Sequence, residues 1–344
     1  MTLTGTCRVR RAYYHCQACG RGQIPYDHDS GLGAGQLSNR LAAAGSLLAA
    51  QNSFEEASRM LWELVRIHVD DNTLAVAAER AGSVAMARQD AAVKEALANR
   101  QPPPAQVRPE RLCISTDGTI APTLEGWREV KCGAVYWEDS VEGHQSRYAG
   151  RIENCEAFGE RLWHLACECG LRQATEVVVI GDGAPWIWNQ ARQRFSRAKQ
   201  ILDWYHASEH VWSCAHVLYG EGTKAATAWA GRMLTVLYEC GGQTLLERLR
   251  RSCRSREHPP AALLELIGYV APNVDRMDYP SYRAAGLPIG SGPVESACKR
   301  LVGGRLKGPG MRWSPTGADA ILALRIAWFN AQWESLWESK PLAA

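Results

Sequence analysis

Three carboxylates stand where phosphoryl chemistry could use them. Asp117 follows the run Arg111-Leu112-Cys113-Ile114-Ser115-Thr116, and Asp182 follows Glu176-Val177-Val178-Val179-Ile180 after one glycine. An acid at the carboxyl end of a central strand points into the crevice where open α/β sheets bind ligands. The plainer reading of each is a turn former, because Asp-Gly pairs mark turns; two at corresponding strand ends are harder to dismiss. The third acid, Glu295, lies in Ile289-Gly290-Ser291-Gly292-Pro293-Val294-Glu295-Ser296. Proline favours the first helical position, which makes Gly292 the N-cap and sets Glu295 in the first turn, with Lys299 as an ion-pair partner one turn on. Hard Mg²⁺ or Mn²⁺ prefers carboxylate oxygens, and two such ions about 4 Å apart can hold both the attacking and the leaving oxygen of an in-line phosphoryl displacement. Asp117, Asp182 and Glu295 are therefore the candidate catalytic and metal-binding residues, with water and substrate phosphate as the remaining ligands.

Beside Glu295 runs a basic stretch. Residues 296–318 contain Lys299, Arg300, Arg305, Lys307 and Arg312 and no acid, and Gly303, Gly304, Gly308 and Gly310 predict a loop suited to a phosphate backbone. A solvated charged face is the commoner origin of such a run. A further constellation is Asp203-Trp204-Tyr205-His206, with His210 one helical turn after His206. That spacing also admits a hydrolytic zinc site, although Glu does not follow the first His as it does in metalloproteases.

The elements that must position these groups follow from pattern. A length of 344 residues allows two or three domains. With 46% hydrophobic and 22% charged residues and no apolar run near the ~20 residues that cross a bilayer, the composition is globular and excludes a membrane span. The opening Met1-Thr2-Leu3-Thr4-Gly5 is no secretory signal, and the twelve scattered cysteines fit reduced thiols in a cytoplasm. A net charge of +3 is too small to announce a polyanionic partner, so any basic surface is local. Thirteen Trp against four Phe is unusual; core burial explains most of them, and base stacking is the sharper alternative.

Residues 1–30 show no helical period, and 31–100 read as a helical domain. Ser53-Phe54-Glu55-Glu56 is a capping box, and after a break at residues 69–72 a second helix is expected from Thr73 to Arg80, ended by Gly82, in a helix-turn-helix-like arrangement. The Pro-rich stretch 101–110 is a linker. Strands are expected at 111–116, 128–137, 145–152, 176–180 and 199–204, with helices between the third, fourth and fifth, then a helical insertion over about 207–287. The order β-β-β-α-β-α-β within 111–335 gives the fold class: α/β, an RNase H-like mixed sheet with a helical insertion.

Thr116-Asp117-Gly118, Gly181-Asp182-Gly183-Ala184-Pro185-Trp186-Ile187-Trp188, Leu202-Asp203-Trp204-Tyr205-His206 and the Gly-Ser-Gly-Pro-Val-Glu-Ser segment at 290–296 together resemble DDE transposases of bacterial insertion sequences, most closely the ISKra group. The resemblance spans roughly residues 7–335. It implies that Asp117, Asp182 and Glu295 bind two Mg²⁺ or Mn²⁺ ions, and that one site cleaves DNA at the element's ends and joins the freed 3′-hydroxyl to target DNA. It also implies a homo-oligomer assembled on DNA, a cytoplasmic, nucleoid-associated protein with no membrane partner, and an active-site-supporting role for Asp203 and His206, which look like the Cys/Asp-x-x-His signature of related families. His206 could equally cap or pack its own helix.

The N-terminus departs from the family pattern. Tyr14-His15-Cys16-Gln17-Ala18-Cys19-Gly20 is similar to the second knuckle of a zinc ribbon, so residues 1–30 are a partial zinc-ribbon-like segment with Cys16 and Cys19 as candidate Zn²⁺ ligands. Six residues precede Cys7, and the expectation is that an N-terminal portion of the family protein is missing. Two other functions remain open: a DNA-binding protein of transposase descent without complete activity, and a zinc hydrolase.

Overall fold

The computed structural model describes residues 1–26, 37–254 and 257–338. The expected boundary between residues 30 and 31 lies outside them. At the N-terminus β1 (Tyr14–His15) and β2 (Gly22–Gln23) form a short antiparallel hairpin. Three helices follow. Ser38 caps α1 (Asn39–Gln51), the expected box between Ser53 and Glu56 caps α2 (Phe54–Val65), and Asp70 caps α3 (Asp71–Ala98).

The second helix of the expected helix-turn-helix does not stop at Gly82. It runs for 28 residues, because Gly82 is a point of close approach: a Cβ there would lie 2.1 Å from the carbonyl oxygen of Ala320 on a later helix. The alanine-rich chain on either side carries the helix through. Residues 101–110 contain neither helix nor strand.

The sheet comprises β3 (Arg111–Thr123), β4 (Gly126–Asp139), β5 (Gly143–Arg151), β6 (Glu176–Gly181) and β7 (Lys199–Leu202), with α4 (Cys155–Glu168) between β5 and β6 and α5 (Pro185–Arg194) between β6 and β7. Its order is β5-β4-β3-β6-β7; the first three strands form an antiparallel meander, and β6 and β7 run parallel to β3. This is an α/β fold with a five-stranded mixed sheet, compatible with the RNase H-like expectation. The β-branched run Val177-Val178-Val179-Ile180 is buried throughout, as a strand covered on both faces requires.

One difference from expectation concerns β3. It does not end before Asp117 but continues to Thr123, because β4 pairs with it from Cys113 to Thr123 while β6 pairs only as far as Ser115 opposite Ile180. Asp117 is thus inside a strand, at the point where the parallel neighbour has ended.

After β7 the chain is helical: α6 (Trp204–Tyr219), α7 (Lys224–Arg254, kinked where Gly241 adopts φ 78°), α8 (Ala261–Val270), a 3₁₀ turn (Ala271–Arg276) and α9 (Tyr279–Ala284). No strand occurs among the described residues of 207–287. The last segment is α10 (Gly292–Ala297), a π-helical stretch (Cys298–Gly303), α11 (Gly304–Leu306), α12 (Pro315–Phe329) and α13 (Trp333–Trp337). Helix α12 is apolar nearly all round and buried along its length. It covers one face of the sheet, where Leu322 and Ile326 lie against Gly150, and α4 covers the other, where Leu162 and Phe158 lie against Gly133. Leu41, Leu61 and Leu74 of the first three helices belong to the same buried cluster as the sheet. No helix among the described residues is long and apolar enough to cross a membrane.

Candidate active site

The β3–β6 register aligns the two aspartates. Ser115 and Ile180 are the last pair, and Asp117 and Asp182 each lie two residues past it, Asp117 within β3 and Asp182 just beyond the end of β6. Each folds an oxygen back on its own backbone: Asp117 Oδ1 accepts the Gly118 amide at 2.6 Å, and Asp182 Oδ1 accepts the Ala184 amide at 2.8 Å. The turn after Asp182 needs Gly183 at φ +107°, since a Cβ there would be strained and crowded against Tyr269 and Leu202.

Asp203 ends β7 and caps α6. Its Oδ1 accepts the amides of Tyr205 (2.6 Å) and His206 (2.9 Å), and its Oδ2 accepts the amide of Ser291. Trp204 N–H adds a bond to the Ile289 carbonyl, so the loop at 289–291 is fastened to the end of β7. From that loop rises α10, packed on β3 and β4, with Glu295 in its first turn. Ser291 rather than Gly292 is its N-cap, because the Ser291 amide is already committed to Asp203.

The charges of these groups act on one another. Burial pushes the Asp117 carboxyl above its ordinary range, and the Asp182 and Glu295 carboxylates add to the shift against the opposing Gly118 amide and His206. His206 is pushed up to about 9, chiefly by Asp203 and against burial, with Asp182 and Asp117 contributing. Its Nδ1 is 3.5 Å from Asp203 Oδ1, an ion-pair distance without an in-line hydrogen bond. Asp203 itself is fully buried; burial alone would raise it, but bonds from His206 and Ser291 hold it below the usual carboxylate range. At neutral pH an imidazolium therefore faces a group of carboxylates.

The donor set has the chemistry of a hard divalent cation site: half-buried carboxylates, of which Asp117 is raised first by burial and further by its acidic neighbours. Their spacing is wider than a closed site needs. Among the described residues no three His, Cys, Asp or Glu side chains are close enough to hold a metal ion together. That applies equally to His206 and His210, the latter stacked on Tyr269 at 3.7 Å, and to Cys16 and Cys19, which are exposed at the turn between β1 and β2.

The basic residues divide. Lys299, Arg300, Lys307 and Arg312 are exposed; Lys299 Nζ lies 4.0 Å from Glu295, Arg300 lies over the Phe329 ring, and Lys307 bonds Thr119 Oγ1 at 2.6 Å. Arg305 departs from the expected phosphate-facing role. Only 2% exposed, it donates to the Ala49 carbonyl at 2.8 Å and lies over both the Phe54 and the Trp313 ring, which meet edge to face, and burial lowers it to about 10. Only the second part of the segment is a glycine loop, since residues 298–306 are helical while 307–312, with Gly308 and Gly310, are neither helix nor strand. Its π turn is stabilised by buried Arg325 of α12, which donates to the carbonyls of Arg300 and Leu301 and, on its other side, to Ala50 and Gln51 of α1.

Sequence reasoning missed Cys298, whose Sγ is 4.0 Å from Asp117 Oδ2; its position three residues after Glu295, on the same helical face, was the available signal. It also missed Tyr269, which no local pattern connects to Asp182. Compared with models of known protein families and with curated proteins, the chain matches none.

Proposed function

We propose that the chain is a DDE-type DNA transposase on an RNase H-like fold, similar to the ISKra group, that cleaves DNA strands at the ends of its element and joins them to target DNA. What carries the reading is the alignment of Asp117 with Asp182 across the β3–β6 register, with the Glu295 charge acting on Asp117. Asp117, Asp182 and Glu295 would hold Mg²⁺ or Mn²⁺. Bound there, the ions would supply charge neutralisation at the attacking and leaving phosphate oxygens. Asp203 orients the loop that carries Glu295, and the charged His206 offsets carboxylate repulsion before any cation arrives. Exposed Lys299, Arg300, Lys307 and Arg312 are the phosphate-backbone contacts in this reading. The helices α1–α3 and the Cys16–Cys19 turn are the candidates for recognising the element's end, with a second copy of the chain assembled on the DNA.

The test is strand cleavage by the full chain on DNA carrying the inverted repeats that flank its reading frame, with and without Mg²⁺. Mg²⁺-dependent nicking at the repeat ends supports the transposase. Specific binding without nicking supports the DNA-binding descendant, and the absence of both nicking and specific binding overturns both readings.

A further inference from the structure

Among its contacts with the sheet, the helical segment between β7 and α10 reaches the ends of β6 and β7 through two phenols. Tyr269 of α8 donates its hydroxyl to the Asp182 carbonyl at 2.8 Å, and Tyr279 of α9 donates to the Leu202 carbonyl at 3.0 Å, next to Asp203. The carbonyls so engaged lie at the ends of the two parallel strands β6 and β7, and they are the ones beside the site's buried carboxylates. The same return segment adds Arg276, which donates to Gln200 of β7 at 2.8 Å and lies over Trp188 of α5.

Around Asp182 the fit is close. The Tyr269 ring is stacked on His210 with planes 22° apart, its own carbonyl accepts Asn273 Nδ2 at 2.9 Å, and a Cβ on Gly183 would be 3.1 Å from the ring and 3.4 Å from Asn273. The hydroxyl therefore reaches the Asp182 carbonyl from a side chain whose ring is held by the His210 stack. A loop residue whose carbonyl is fixed in this way loses much of its freedom to rotate, and the Ala184 amide then fixes the carboxylate.

We infer that Tyr269 is a positioning residue for Asp182, and that the helical segment acts as a clamp on the strand ends that carry the site. The inference rests on the metal-dependent reading for its consequence in catalysis. Its structural content stands apart from that reading. Tyr269 touches no reacting atom; it acts through the Asp182 backbone.

The test uses the full-length chain and Tyr269→Phe, which keeps the stack on His210 and removes only the hydroxyl. Hydrogen exchange of the Ala184 amide reports the orienting bond directly and needs neither metal nor DNA. Loss of one bond of ordinary strength predicts exchange about 5–10-fold faster at Ala184, with the amides of α8 unchanged. In the cleavage assay the Mg²⁺ concentration for half-maximal rate should rise several-fold while DNA affinity stays within twofold. Unchanged exchange at Ala184 overturns the inference whatever the activity. Faster exchange at Ala184 in a chain that never cleaves DNA supports the clamp and counts against the transposase reading instead.

Discussion

The buried carboxylate of Asp203 accepts the backbone amide of Ser291, and so the end of β7 holds the loop from which Glu295 rises. The two residues are far apart in sequence, yet this bond, together with that of the Trp204 amide to the Ile289 carbonyl, fastens the helix of the third candidate ligand beside the strands of the first two. Asp203 also anchors His206 through its backbone amide and the ion pair. A single side chain therefore links β7, α6 and α10.

That link gives stability a pH dependence of known sign. His206 has a folded pKa of about 9 against an unfolded value near 6.5, so its contribution is fully present below about pH 6.5 and is lost as pH rises through 9. Asp203→Asn removes the first cause of the shift. Urea unfolding at pH 6, 8 and 10 should show a decline at high pH in the native chain and a weaker one in the variant, which should also be about 2–3 kcal/mol less stable at neutral pH from loss of a charged acceptor.

Arg305 and Lys307 should behave oppositely although two positions apart. Arg305→Ala leaves the Ala49 carbonyl without its donor and a cavity beside the Phe54 and Trp313 rings, and should cost about 2–4 kcal/mol in denaturant unfolding without changing the salt dependence of DNA binding among molecules that stay folded. Lys307→Ala should leave stability within about 0.5 kcal/mol and lower the slope of log K against log salt by about 1. A reduced slope in the Arg305 variant would mean that its guanidinium leaves the core when DNA binds.

Gly82→Ala tests the crossing of α3 and α12. Intrinsic propensity favours alanine by about 1 kcal/mol in a helix interior, so a free helix would gain. Here the added Cβ would sit 2.1 Å from backbone at Ala320, and the net effect should be a loss of about 1–3 kcal/mol in urea unfolding. A stabilised variant would show that the two helices do not meet at this point.

Much of the fold could be read from the chain because the signals are local. The β-branched run at 177–180 is a buried strand wherever it stands, and Ser53 with Glu56 starts a helix without help from the rest of the molecule. Asp117 and Asp182 were legible as a pair for the same reason, since each closes a strand-like run. What was hidden depends on partners distant in sequence. The extension of β3 past Asp117 comes from β4, the passage of α3 through Gly82 from α12, and the burial of Arg305 from a carbonyl of α1. A run of cations shows that charge is present but not which members face water. The reach of Tyr269 to Asp182 belongs to the same class, because only the folded return of the helices brings them together.

The central claim is that Asp117, Asp182 and Glu295 form one metal-dependent site. It is tested most directly by measuring Mg²⁺-dependent cleavage, DNA affinity and melting temperature side by side for Asp117→Asn, Asp182→Asn and Glu295→Gln. The expected result is loss of cleavage in all three with DNA affinity within twofold of the native chain, and a melting temperature for Asp117→Asn at or above the native value, because burial and its neighbours already disfavour that charge. Were Glu295 only the exposed partner of Lys299, Glu295→Gln would change stability by a few tenths of a kcal/mol and leave cleavage nearly normal. Retained cleavage in that variant would remove Glu295 from the site, and retained cleavage in either aspartate variant would contradict the claim itself.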